Sequence, residues 1–164
     1  MEGVHPRREA ARLISKLRWF VLATIEQDGS PTLSYVPFAV VDGAFGMVAS
    51  RLAAHTANLL ARRPASVILV DDDGPAVEQP DAYARSRFSI GVTASPRVRG
   101  SFEADAIWSA LAARRGATVG IVRTLPDFEA FALRPSGGRL VLGFASAHDL
   151  DVAAIIDEIG ASEQ

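Results

Sequence analysis

The chain has 164 residues, 49% of them hydrophobic and 22% charged, with a net charge of −2 at pH 7, the composition of a globular protein with one sizeable core. It has no cysteine, which excludes disulfides, thiolate catalysis and cysteine-based metal sites. All but one of its 17 basic residues are arginine, and they are scattered, so no nucleic-acid-binding stripe is expected. No apolar run is long enough to span a membrane and no apolar h-region follows the first arginines, so a cytoplasmic protein without membrane contact is expected.

Pro6 to Arg18 predicts a first helix, with proline in its first turn and Ala10, Leu13, Ile14 and Leu17 on one stripe. Trp19 to Glu26, rich in aromatic and β-branched residues, predicts a buried strand. Asp28-Gly29 turns the chain into a second strand, Thr32 to Val41. Both faces of that strand are largely apolar, and Pro37, unable to donate to a ladder, marks an edge or a bulge. Asp42-Gly43 makes another turn into a third strand, Phe45 to Ala49, so the first three strands read as an antiparallel meander.

Ser50 to Pro64 then reads as a helix with a conflict on its apolar face. Leu52 and Leu59 stand two turns apart, and His55 and Thr56 occupy the same face between them. A buried imidazole and a buried hydroxyl each need a hydrogen-bonding partner, which either the protein or a ligand supplies. A satisfied core histidine, and a threonine bonding back to a carbonyl of the preceding turn, meet that need without a ligand.

Ala65 to Val70 predicts another short strand, leading into an acidic segment over residues 71–81. Its three adjacent aspartates match no EF-hand spacing and are expected in a solvated loop. Tyr83 to Arg99 predicts a long strand interrupted at Gly91 or at Ser95-Pro96. Arg85 and Arg87 would project from one face of it, a pair that suits a phosphate or carboxylate ligand as well as nearby acidic residues. Ala104 to Arg115 predicts a helix that buries Ile107, Trp108 and Leu111, and Ala117 to Thr124 a helical turn stopped by Pro126. Asp127 to Leu133 and Arg139 to Ala145 predict a hairpin about Pro-Ser-Gly-Gly. Asp149 to Ile159 predicts a last helix, with Val152, Ile155, Ile156 and Ile159 on one face. The expected fold is mainly β: one domain over residues 1–164, a six- to seven-stranded closed or split antiparallel barrel with helices at its ends, residues 1–18 and 149–160.

No dinucleotide fingerprint, phosphate-binding loop or nucleophile elbow occurs, and His5, His55 and His148 are too scattered to name a metal triad. What remains is a set of polar residues at buried-looking positions: Ser34, Ser50, His55 and Thr56. Asp127, between Pro126 and Phe128, suits a turn cap as well as a ligand.

The segments LATIEQDGSPTLSYVPFA, SRLAAHTANLLARRPASVIL, YARSRFSI, LPDFEAFALRP and GRLVLGFASA follow one another between Leu22 and Ala147. They resemble the pyridoxamine 5′-phosphate oxidase-like split barrels that bind FMN, and within them the haem-utilisation branch called HugZ/HutZ. The resemblance implies a homodimer with a small-molecule cofactor in the groove between subunits. It implies a cofactor site at Ser34 and Val36 on the second strand and at Ser50, His55 and Thr56 at the following helix, joined by Arg85 and Arg87. The flavin oxidases carry Arg-Lys where this chain has His55 and Thr56, so that Arg51 or another arginine would have to hold an FMN phosphate. The haem branch has an aspartate in a Leu-x-Asp-Phe segment, which Asp127 matches. Its axial histidine lies in a tail beyond Gly-Phe-x-x-Ala, where this chain offers only the adjacent His148. The implied function is an FMN-binding, oxidoreductase-like dimer. The alternative is a haem-binding or haem-degrading protein with His148 as iron ligand, and a third reading is a ligand-binding dimer without redox chemistry.

Overall fold

A break in one predicted strand closes the sheet. The structure, a computed structural model, describes residues 5–71 and 82–162. Within them the segment expected as one strand from Thr32 to Val41 is two: β2 (Pro31–Pro37) pairs with β1 (Trp19–Ile25), and β3 (Ala39–Val41) pairs with β4 (Ala44–Ser50). The further elements are α1 (Pro6–Lys16), α2 (Ala54–Leu60), β5 (Ala65–Val70), β6 (Arg87–Arg97), α3 (Phe102–Arg115), α4 (Ala117–Thr124), β7 (Phe128–Gly143), β8 (Ser146–Leu150) and α5 (Val152–Ser162). The sheet runs β2-β1-β5-β6-β7-β4-β3, with β8 paired to β7, and every pairing is antiparallel. β2 and β3 therefore stand at opposite ends of the strand order although only Phe38 separates them. The sheet must curl on itself for that, giving the expected split antiparallel barrel.

Phe38 is fully buried at this joint, stacked on Phe20 at 4.9 Å and edge-on to Phe45 at 5.5 Å. Its amide donates to Arg18 O at 3.1 Å. The Arg114 guanidinium lies 5.2 Å from the ring centroid while donating to Ser15 O and Leu17 O, so it ties α3 to the end of α1. The main core fills the barrel with alternate residues of its strands and is closed by α1, through Ala10, Leu13 and Ile14, and by α5, through Val152, Ile155, Ile156 and Ile159. A second, smaller core lies where Ala104, Ile107 and Leu111 of α3 pack on small residues of the sheet, Ala39, Ala44, Ala130 and Ala132.

Four expectations are corrected. The predicted hairpin about Pro-Ser-Gly-Gly is a single strand, β7, paired to β6 along its length with a bulge between Gly91 and Val92. The extra residue is Ser136, and a Cβ on Gly91 would stand 2.7 Å from its Oγ, so glycine makes room for the bulge. Residues 149 and 150 end β8 instead of starting the last helix, which begins at Val152 with Asp151 Oδ1 accepting from Ala154 N at 3.2 Å. The helix predicted over Ser50 to Pro64 is shortened to α2, and Leu52 is 90% exposed in the turn before it, so only Leu59 marks the buried face. Arg85 precedes β6, so Arg85 and Arg87 do not share a strand face. Apart from Asp71, the predicted acidic loop lies outside the described residues.

Gly138 sits where β7 passes beneath α5. A Cβ there would stand 2.6 Å from Phe88 Cε2 and 2.7 Å from Val152 Cγ2, and both side chains are buried. Gly138→Ala is therefore expected to destabilise the fold by about 1–3 kcal/mol through overpacking. Gly120→Ala, in the exposed middle of α4 with nothing within 4 Å, should instead stabilise it by about 0.5–1 kcal/mol. Urea denaturation midpoints of the two variants, moving in opposite directions, check both statements.

Candidate functional site

The candidate residues gather where β4 turns into α2. Ser50, the last residue of β4, lies opposite Phe128 of β7. Its hydroxyl donates to Asp127 Oδ2 at 2.5 Å and accepts from Leu52 N at 3.1 Å. The Arg51 amide donates to Asp127 O at 2.8 Å. Ser50 O accepts from Ala53 N at 3.0 Å and from the buried Thr56 hydroxyl at 2.6 Å. Thr56 thus meets its need within the protein, bonding back to the turn before its helix. These bonds fix the reversal of the chain, and through Asp127 they lock it to the start of β7.

His55, half-buried one residue before Thr56, turns toward β2, where its Nδ1 is 2.8 Å from Ser34 Oγ. Burial pushes its pKa below the usual imidazole value, so the ring is neutral near pH 7. When Nδ1 carries the proton it donates to Ser34, leaving the Nε2 lone pair for a ligand; Nε2 has no bonded partner among the described residues. Val36, two residues beyond Ser34, is 4% exposed with its side chain in the main core, so only its backbone remains for a ligand. Arg51 is at the rim and committed to Glu129, with Nε 2.6 Å from Oε1.

The other candidates lie elsewhere. Arg87 is opposite Val141 and His148 opposite Leu140, more than ten residues along β7 from Phe128, or roughly 40 Å of strand. Arg85 Nη1 donates to Asp71 O and Arg87 Nη1 to Arg85 O, each at 3.4 Å, while His148 Nε2 is 3.1 Å from Ser146 Oγ. Within one subunit none of the three joins His55 and Asp127. Sequence reasoning missed Asn58. This buried side chain donates to Thr24 Oγ1 and Glu26 Oε1, each at 3.1 Å, and accepts from Arg63 at 2.8 Å, tying α2 to β1. Its signal was a carboxamide directly before the core residue Leu59. Among the described residues no group of three or more His, Cys, Asp or Glu is placed to hold a metal ion, and no helix is long and apolar enough to cross a membrane.

A family model described as pyridoxamine 5′-phosphate oxidase matches residues 7–142. The chain belongs to this family. Within it the chain falls in the HugZ/HutZ branch. It is 28% identical over 146 residues to HutZ of Vibrio cholerae, described as a haem oxygenase, covering 87% of this chain and 79% of that one. The crystal structure of HutZ, the haem storage protein from Vibrio cholerae, superposes with a TM-score of 0.72 at 25% identity, over 81% of this chain and 92% of that one. The fold is also that of ChuZ from Campylobacter jejuni, with a TM-score of 0.78 at 23% identity over 92% of this chain. This chain spans only 60% of the length of ChuZ.

The neutrality of His55 is directly measurable. Its imidazole protons, followed by NMR and assigned with His55→Gln, should titrate below the free-histidine value of about 6.5. A folded-state pKa below the unfolded one means that this burial favours folding above about pH 6.5, and that the contribution is lost as pH falls through the folded value. A midpoint above 6.5 would refute the neutral, solvent-shielded ring.

Proposed function

We propose that this chain is a haem-binding protein that works as a homodimer, with the haem in the groove beside β2 and α2 and His55 as the iron ligand. The observation that carries this is the chemistry on the side of α2 facing β2. It holds a neutral imidazole whose Nδ1 is anchored by Ser34 and whose Nε2 is uncommitted among the described residues. A neutral imidazole oriented through its second nitrogen is what an iron ligand requires. The similarity to HutZ supports the same reading.

The residues fit FMN less well. Its phosphate calls for fixed cations, and neither position of the Arg-Lys pair of the flavin oxidases provides one. The Thr56 hydroxyl is spent on Ser50 O, His55 is neutral, and Arg51 is paired with Glu129. Arg85 and Arg87 stand at the far end of the barrel. FMN is the second reading, supported by membership of the pyridoxamine 5′-phosphate oxidase family.

Bound haem would supply a redox-active iron. The chain's own residues orient the ligand and shield it. Ser34 fixes the ring of His55, while the Ser50–Asp127 bond holds the turn that delivers it. Asp127 Oδ1 has no partner among the described residues and remains an acceptor for a proton at the site. Support for the dimer comes from the outer face of β1 and β2, where Leu33 is 70% and Tyr35 64% exposed, with the Tyr35 ring 5.5 Å from that of Trp19.

Parallel titrations with haemin and FMN separate the readings. The haem reading expects a saturable Soret band, and FMN fluorescence unaffected by the protein. His55→Ala should weaken haemin binding by about tenfold or more, while His148→Ala leaves it unchanged. FMN retained stoichiometrically with no Soret band would replace this reading by the flavin one, and silence with both would leave a ligand-binding dimer without redox chemistry. Addition of ascorbate to the haem complex then separates cleavage, seen as loss of the Soret band, from storage.

A further inference from the structure

A second cleft adjoins the start of β7. It has a volume of about 400 Å³, within the range of small-molecule sites, and it lies between the ends of β6 and β7 and helix α3. Three arginines line it, Arg51, Arg97 and Arg99, against one carboxylate, Glu129. Glu129 already serves Arg51, with Oε1 2.6 Å from Nε.

Among the described residues the other two guanidinium groups have no carboxylate partner. Arg99 is held rigidly by main-chain carbonyls, donating to Arg123 O at 2.9 Å, Leu125 O at 3.0 Å and Phe128 O at 3.4 Å. Carbonyls fix its plane but do not neutralise it, and two of its five N–H donors are left over. Arg97, on β6 opposite Ala130, is half-buried and has no hydrogen-bond or carboxylate partner among the described residues. Asp42 and Glu103 edge a smaller hollow that Arg97 also lines, yet neither forms an ion pair with it. A partly desolvated cation held without an anion is costly, and an anionic ligand relieves that cost. The rest of the lining is apolar, with Pro96 and Trp108 prominent, and Trp108 is 5% exposed.

We propose that this cleft binds an aromatic carboxylate, with the acid group on Arg97 and Arg99 and the ring against Pro96 and Trp108. The chemistry selects that class: guanidinium forks match a carboxylate, and the apolar floor accommodates a flat, uncharged body. The site is independent of the haem reading, since neither Ser34 nor His55 lines the cleft.

Trp108 provides the readout, because the chain has only two tryptophans. The indole N–H cross-peaks in a ¹⁵N correlation spectrum are assigned with Trp19→Phe, and the ligand-free protein is titrated with benzoate and, separately, with benzamide. Benzoate should shift the Trp108 peak saturably, and benzamide, the same ring without the charge, should bind about tenfold more weakly or worse. Arg97→Gln should weaken benzoate by about tenfold, and Arg97→Lys, which keeps the charge but not the fork, should fall between it and the parent protein. Equal shifts from acid and amide overturn the proposal, as does unchanged affinity in an Arg97→Gln protein whose spectrum remains native. So does a failure to saturate below about 10 mM, which leaves less than 3 kcal/mol of binding free energy. Displacement of benzoate by stoichiometric haemin would also overturn it, by assigning the cleft to the cofactor. Benzoate binding in a protein that ignores haemin would uphold this site and refute the haem reading alone.

Discussion

The joint at Phe38 is the constraint on which the rest of the molecule depends. Pro37 is the last residue of β2 to pair with β1, and within two residues the chain is pairing with β4, at the other end of the strand order. Only a curled sheet brings those two ends within one residue, and a fully buried aromatic ring holds the corner. Phe20 and Phe45 pack against it from the two halves, and the Arg114 guanidinium covers it. The functional consequence follows from the same curl. β2 and the helix after β4 become neighbours, and Ser34 meets His55 across 21 positions of sequence. In an open sheet of this strand order the two would stand near opposite edges.

Much of the fold was legible because local pattern and tertiary demand agree over most of the chain. The stripes of α1, α3 and α5 bury the residues that periodicity assigns to them, and α4 has the limits read from sequence, Ala117 to Thr124. Disagreement arises where a long-range pairing outweighs a local signal. Pro-Ser-Gly-Gly has the composition of a turn, and as an isolated peptide that reading is sound. Here β6 offers an unbroken partner on one side, and Gly91 removes the Cβ that would collide with Ser136, so the segment stays extended as a bulged strand. Of the two glycines that read as a turn, Gly138 is instead a point of close approach, to Phe88 and Val152, while a Cβ on Gly137 would meet nothing within 4 Å. Leu52 misled for a related reason. It completes an apolar repeat on paper, but the bonds gathered on Ser50 keep residues 51–53 in a turn, and the repeat is never wound into a helix.

The site was legible one residue at a time and not as an arrangement. His55 and Thr56 stood out because a polar pair interrupted an apolar face, and each does carry a specific bond. Nothing local reveals that Ser50 and Asp127 bond across 77 positions, since that depends on the register of β4 against β7. Arg85 and Arg87 were grouped by a spacing that has meaning only inside a strand, and the strand begins after Arg85. Asn58 shows the reverse failure. Two of its three hydrogen bonds, to Thr24 and Glu26, hold α2 against the end of β1, yet a single carboxamide before Leu59 is a faint signal in sequence.

These contacts also bear on how one fold accommodates different ligands. At the start of α2 the two polar side chains are His55 and Thr56. Thr56 is consumed in stabilising the turn, since its hydroxyl and the Ala53 amide share the Ser50 carbonyl. That leaves His55 to set the chemistry, and a half-buried ring tied to a serine hydroxyl favours coordination over charge. Arg97 and Arg99, without a carboxylate partner among the described residues, lie instead at the ends of β6 and β7. In the proposed reading an anion is therefore drawn to a place different from the one where a metal centre would be ligated. Ser50, Arg51 and Asp127 form the short bridge between the two proposed sites, with Arg51 lining the cleft and Ser50 ending the strand that leads to α2.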